Sequence, residues 1–183
     1  MSKIKVSVVN VVVTCDLETK IDLKKTVRIP GFEYNPHIYQ GRVAYFKNHK
    51  TKGKVSVFNS GKLISIGTKS EKEAVHDLKY VAKLLIKANF IKNTFISYKI
   101  RNVVALADLG RQVDLEHLAA RLKGVIYEPE QFPGAIVKLN NFEKATVLLF
   151  ASGKIVITGL KTTKGLRKKV DKIIEFLQLT EKT

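Results

Sequence analysis

Cysteine occurs once in this chain, as Cys15, which excludes an internal disulfide and any zinc site built from several cysteines. Its place at the end of an apolar strand marks it as a small buried thiol rather than a reactive one. Acidic residues are scarce: 16 Asp and Glu stand against 33 Lys and Arg, for a net charge of +17. No apolar run is long enough to span a membrane. Met1 to Lys5 lead straight into a strand, not a signal peptide, so an intracellular protein without a membrane role is expected. No Gly- or Ser-rich linker divides the 183 residues, which can hold one domain or two fused small ones. Also missing are a nucleophile–base pair, a metal-ligand cluster and a glycine-rich phosphate loop. The sequence therefore argues against an enzyme and implies no cofactor or metal.

The basic excess runs through the whole chain. Residues 1–92 hold 18 basic and 7 acidic residues, and residues 93–183 hold 15 and 9. Such a balance suits a polyanionic partner, either nucleic acid or an acidic membrane surface. It also suits a lysine-rich surface of the kind common at high temperature.

The chain says nearly the same thing twice, about 92 residues apart. Asn10-Val11-Val12 recurs as Asn102-Val103-Val104, and Asp16-Leu17 as Asp108-Leu109. Asp22-Leu23 recurs as Asp114-Leu115. Phe58-Asn59-Ser60-Gly61-Lys62 recurs as Phe150-Ala151-Ser152-Gly153-Lys154, and Gly67-Thr68-Lys69 as Gly159-Leu160-Lys161. Two repeats, 1–92 and 93–183, imply a pseudo-twofold molecule. Duplex DNA, itself close to twofold symmetric, is one candidate partner.

Each repeat reads as strand, short helix, several strands, long helix. In the first, Val8 to Thr14 is rich in β-branched residues and predicts a strand. Asp22 to Val27 predicts a short helix, and Pro30-Gly31 breaks the chain. Strands follow near Arg42–Lys47, Lys54–Phe58 and Lys62–Ile66. Ser70 to Glu73 fits a capping box that opens a helix to about Asn89. In the second, the strand is Asn102 to Ala107 and the short helix Asp114 to Leu122. Further strands lie near Ala135–Leu139, Thr146–Phe150 and Lys154–Thr158, and a last helix runs from Lys164 to Leu179.

The strand faces do not alternate as expected for a sheet with helices on one side and water on the other. Val9, Val11, Val13, Val55, Val57, Val103, Val147 and Leu149 can cover the two long helices. The opposite face nevertheless carries Val12, Phe58, Ile64, Ile66, Val104, Leu148, Phe150 and Val156. No sequence remains to supply another layer, so this face implies a partner or ligand. Asn10 and Asn102 interrupt it at equivalent places, and Thr14 and Thr158 add hydroxyls. Apolar surface with a few amide donors suits the DNA minor groove at A·T pairs, whose edges offer acceptors and no amino group. Strand-end capping is the alternative role for both asparagines.

Aromatics recur beside tight turns: Phe58 and Phe150 before Ser-Gly-Lys, Phe132 before Pro133-Gly134, and Tyr39 before Gln40-Gly41. Around them lie Lys47, Lys50, Lys52, Lys54, Lys62, Lys69, Lys138, Lys154 and Lys161, with Ser60 and Ser152, suited to phosphate contacts.

On these residues the chain resembles the TATA-box-binding protein family of archaea and eukaryotes, over about residues 4–180. The likeness is strongest in Tyr127 to Gly134, Leu148 to Lys154 and Ile157 to Lys161. The resemblance implies an α+β saddle: one curved antiparallel sheet of about ten strands, four helices on the convex side and DNA under the concave face. It implies wedges at Tyr39 with Phe58 and at Phe132 with Phe150, carried on two stirrup loops. Kinking by such wedges is this family's own known behaviour and comes from the resemblance alone. The resemblance further implies promoter DNA, transcription factor B and RNA polymerase as partners, with Glu128 and Glu130 meeting transcription factor B. It also implies a monomer on DNA; whether the free protein is a homodimer stays open. The compartment is cytoplasm or nucleoid for an archaeal source and nucleus for a eukaryotic one.

The first repeat departs from the family pattern. Tyr39 replaces a Phe, Ile66 stands where a Thr faces the bases, and Ser56 stands where Leu is usual. Tyr45 replaces a phosphate-binding Arg, a place at which Lys138 keeps a cation. Weaker sequence discrimination is expected there, and the rival reading is a paralogue that bends DNA without sequence preference.

Overall fold

A computed structural model of the chain describes residues 4–92, 97–138 and 145–178. The elements of the first repeat are β1 (Val6–Asp16), α1 (Leu23–Thr26), β2 (Phe32–Tyr34), β3 (Val43–Phe46), β4 (Lys54–Phe58), β5 (Lys62–Thr68) and α2 (Glu71–Lys87). Those of the second are β6 (Tyr98–Asp108), α3 (Leu115–Arg121), β7 (Val125–Ile126), β8 (Gly134–Val137), β9 (Thr146–Phe150), β10 (Lys154–Leu160) and α4 (Leu166–Gln178). The ten strands form one sheet in the order β2-β3-β4-β5-β1-β6-β10-β9-β8-β7. This is the α+β architecture expected, with four α-helices.

Differences lie at the margins. β1 and β6 are longer than expected, because pairing extends them beyond their β-branched centres. Two short strands, β2 and β7, had no sequence signal of their own and owe their existence to pairing with β3 and β8. The ends expected at Leu139 and Leu179 fall outside the described residues.

The chain divides into two compact units, residues 10–101 and residues 1–9 with 102–183. In the first, α2 packs on β4 and β5. Ser70 caps it by accepting a hydrogen bond from the Glu73 N–H at 3.1 Å. Ala74, Leu78, Val81, Ala82 and Leu85 on the helix and Val11, Val13, Val55, Val57 and Leu63 on the strands are all buried. The periodicity of 3.6 on the helix and 2 on the strands thus yields one core. Val9, expected to belong with Val11 and Val13, is only half-buried. Cys15 is buried, and that burial, with Asp16 nearby, pushes its thiol up to about 12.

In the second unit Val103, Ala105, Val147, Leu149, Ile155 and Ile157 are buried, as are Val170, Ile173 and Leu177 of α4. The Arg167 guanidinium donates to the Ile4 carbonyl, tying the amino-terminal segment to this unit. The repeated aspartates do different work. Asp114 caps α3 by accepting from the His117 N–H at 2.9 Å. Asp22 makes no such cap and instead pairs with Lys25 at 3.0 Å, which holds its carboxyl below the usual range.

Ser65 occupies the core-facing position that Ile157 takes in the other repeat, and its buried hydroxyl has no partner among the described residues. Ser65→Ala should therefore stabilise the protein by about 1 kcal/mol. Thermal unfolding checks this, and an unchanged or lower Tm would contradict it.

Candidate nucleic-acid interface

The face away from the helices is built in the same way in both units. On β1, Asn10 and Val12 point to this face, and on β6 Asn102 and Val104 do so; all four are half-buried. A β-bulge lies opposite each pair. Between Val11↔Thr68 and Val13↔Ser65, β5 carries one extra residue; between Ile157↔Ala105 and Leu160↔Val103, β10 does the same. The bulges hold Gly67 at φ 90° and Gly159 at φ 86°, a region that favours glycine. Each bulge resets the alternation, so that Thr68 and Leu160 turn back into the core.

The bulges also fix the asparagines. The Asn10 Oδ1 accepts the Gly67 N–H at 2.8 Å, and the Asn102 Oδ1 accepts the Gly159 N–H at 2.8 Å. A backbone N–H can only donate, so the carbonyl end of each amide is assigned and the NH₂ end is left for the open face. The strand-capping role and the donor role are thus two ends of one side chain. Asn102 Nδ2 also donates to Thr158 Oγ1 at 3.3 Å. In the first unit Ile66 takes the place of Thr158 and is 42% exposed. Asn10 Nδ2 has no partner among the described residues. Thr14 differs from expectation in its surroundings: its hydroxyl is buried, accepts from Arg101 Nε at 2.9 Å and donates to the Lys99 carbonyl.

Cross-strand register exposes a contrast that single residues had hidden. In the second unit Leu106, Val156, Leu148, Ile136 and Ile126 stand directly opposite one another across five strands. All five lie on the open face, with Leu106 37% and Ile126 39% exposed. The corresponding row in the first unit is Thr14, Ile64, Ser56, Tyr45 and Glu33. Sequence reasoning had found Leu148, Val156 and Ile64 but missed Leu106, Ile136 and Ile126. Leu106 was recoverable, because it lies two residues beyond Val104 on one strand face.

The aromatic pairs diverge too. Phe132 and Phe150 meet edge to face with centroids 5.9 Å apart. Gly134, opposite Phe150 in the ladder, makes room: a Cβ there would lie 2.8 Å from the Phe132 ring and 3.1 Å from the Phe150 ring. In the first unit Val43 stands opposite Phe58. Tyr39 is 72% exposed and makes no ring contact among the described residues. Tyr39 and Gln40 both adopt left-handed backbone, with φ 46° and 54°. The connection is longer here: Gly31 and Lys47, joined by the Lys47 N–H to the Gly31 carbonyl, are 16 residues apart (47 − 31), whereas Gly124 and Lys138, joined in the same way, are 14 apart (138 − 124), a two-residue shift.

The same shift corrects the match of Tyr45 to Lys138. Lys47 and Lys138 are equivalent, since their N–H groups donate to the Gly31 and Gly124 carbonyls. Tyr45 corresponds to Ile136, and its ring lies 4.0 Å beneath the Lys54 ammonium. Lys47 itself is tied to its hairpin, donating to the Lys52 and Gly53 carbonyls at 2.7 and 3.0 Å. Ser60, Lys62 and Lys69 in one unit, and Lys138, Ser152, Lys154 and Lys161 in the other, are all exposed. So are Glu128 and Glu130. No group of side chains suited to a metal occurs among the described residues. No helix among them is long and apolar enough to cross a membrane.

These features define a class: a basic two-repeat α+β protein with open, largely apolar sheet faces. The family described as transcription factor TFIID, or TATA-binding protein, matches residues 5–88 and 97–180. The TATA-box-binding protein of Methanocaldococcus jannaschii is 38% identical over 177 residues, covering 95% of this chain and 94% of that one. That of Cenarchaeum symbiosum is 37% identical over 161 residues, covering 88% and 87%. A solved structure of the Methanococcus jannaschii protein superposes with a TM-score of 0.81 at 36% identity, covering 95% of this chain and 98% of that one. The chain belongs to the TATA-binding protein family; it is a DNA-binding general transcription factor, not an enzyme.

Proposed function

We propose that each open face lies on the minor groove of A/T-rich promoter DNA and reads one half of the element. The observation that carries this is the pair of pinned asparagines. Asn10 and Asn102 aim amide donors out of apolar surface, and A·T edges supply acceptors there while a guanine amino group would find neither room nor partner. Val12, Ile64 and Ile66, and Val104, Leu148, Val156 and Thr158, cover the neighbouring bases. Phe132 with Phe150, and Tyr39 with Phe58, enter base steps and kink the duplex. Ser60, Lys62, Lys69, Lys138, Ser152, Lys154 and Lys161 meet phosphates. The repeats, 1–92 and 93–183, act as the two reading units.

The bent complex is presented to transcription factor B, which meets Glu128 and Glu130, and through it to RNA polymerase. The protein is intracellular and monomeric on DNA. The polar row of the first unit favours one rival, a DNA bender without sequence preference.

Binding of end-labelled TATA-like and G·C-substituted duplexes of equal length, at two salt concentrations, separates the readings. Strong preference for the first, with the duplex ends brought together, is expected. Equal and steeply salt-dependent affinity for both would establish the rival.

A further inference from the structure

The two rows described above differ in chemistry as well as in polarity. The row Leu106, Val156, Leu148, Ile136 and Ile126 offers no hydrogen-bond acceptor from its side chains. The row of the first unit offers the hydroxyls of Ser56 and Tyr45, residues directly paired in the ladder, with Glu33 in the next place along the row. Among the described residues neither hydroxyl makes a hydrogen bond within the protein, and both side chains are half-buried on the open face. Thr14, at the other end of the row, is already engaged by Arg101 and Lys99.

The single feature that distinguishes a G·C pair in the minor groove is the guanine amino group, a donor. Against an apolar row that donor is desolvated without a partner, which is costly. Against Ser56 Oγ and Tyr45 Oη it is accepted.

We propose that the two units have different base requirements. Residues 102–183 demand A·T pairs, whereas residues 10–101 accept G·C pairs where Tyr45 and Ser56 lie. Val12 and Ile66 keep the apolar exclusion beside Asn10, so the tolerance is confined to the pairs beyond it. This rests on the minor-groove reading above. The preferred element is therefore a composite, with one strict A/T half and one mixed half. The polarity of the element orients the protein on it.

The test compares three duplexes by fluorescence anisotropy: all A·T, G·C in the outer pairs of one half, and G·C in the outer pairs of both halves. The wild-type protein should bind the half-substituted duplex within about threefold of the first and lose about tenfold or more on the third. Installing the other unit's residues, with Tyr45→Ile and Ser56→Leu together, should cost about tenfold on the half-substituted duplex relative to the first. Leu148→Ser, made separately, should narrow the gap between the third duplex and the second. A wild-type loss of tenfold for the first substituted half, or ratios unmoved by both variants, would overturn the proposal and leave minor-groove reading intact. Equal affinity of the wild type for all three duplexes would overturn the minor-groove reading itself.

Discussion

Alanine at both Phe132 and Phe150 is expected to lower affinity for a TATA-like duplex by about 100-fold, from stacking losses of about 1–3 kcal/mol per ring. Tyr39→Ala with Phe58→Ala should cost markedly less. The difference follows from preorganisation. Phe132 and Phe150 already hold each other edge to face above Gly134, so little side-chain freedom is lost when they enter a base step. Tyr39 stands in solvent, without a ring partner among the described residues, and must be ordered on binding. Its left-handed backbone, shared with Gln40, is local strain that the longer loop stores. Affinities of the two double variants, with end-to-end fluorescence transfer to report bending, check the ranking. Equal losses from both pairs would mean that the preformed contact contributes nothing.

Asp77→Ala should be the most damaging change away from the open face. Asp77 is fully buried on α2, where its two carboxylate oxygens accept the Lys52 N–H at 3.1 Å and the Gly53 N–H at 2.7 Å. His76 Nδ1 lies 3.4 Å from the same carboxylate. The contact clamps the β3–β4 hairpin onto the helix, beside the Asn48 to Tyr80 hydrogen bond at 3.3 Å. Truncation leaves two backbone donors without partners and opens a void. The expected cost is about 3 kcal/mol, or roughly 6–12 °C in Tm for a chain of this size. Asp77→Asn retains one acceptor oxygen and should cost about half as much. Thermal unfolding followed by circular dichroism measures both; an Ala variant as stable as the parent would show that the hairpin does not depend on this clamp.

Much of the interface was legible because it depends on parity. Residues two apart on a strand share a face, so Asn10 and Val12 separate from Val11 and Val13 without any knowledge of pairing. The duplication then carried the reading from one repeat to the other. What could not be read depends on partners distant in sequence. The extra residue at Gly67 or Gly159 is a bulge only because β1 or β6 runs past it without one. The two extra residues between Gly31 and Lys47 show only once those ends are bonded, and they move Tyr45 and Lys47 to places that a gapless match assigns otherwise. Lys47 read as a phosphate cation until the hairpin carbonyls came to it. The role of Asp77 has no sequence signal, because its two donors lie 24 and 25 residues away.

The open faces are proposed to read DNA from the minor groove. Affinity for three duplexes of one length tests it most directly: an A/T-rich element, the same element with I·C pairs and the same with G·C pairs. Inosine lacks the guanine amino group, so an I·C pair matches A·T in the minor groove and G·C in most of the major groove. The I·C duplex is expected to bind like the A/T-rich one and far more tightly than the G·C duplex. An I·C duplex that binds no better than the G·C one would place the reading in the major groove and exclude minor-groove recognition.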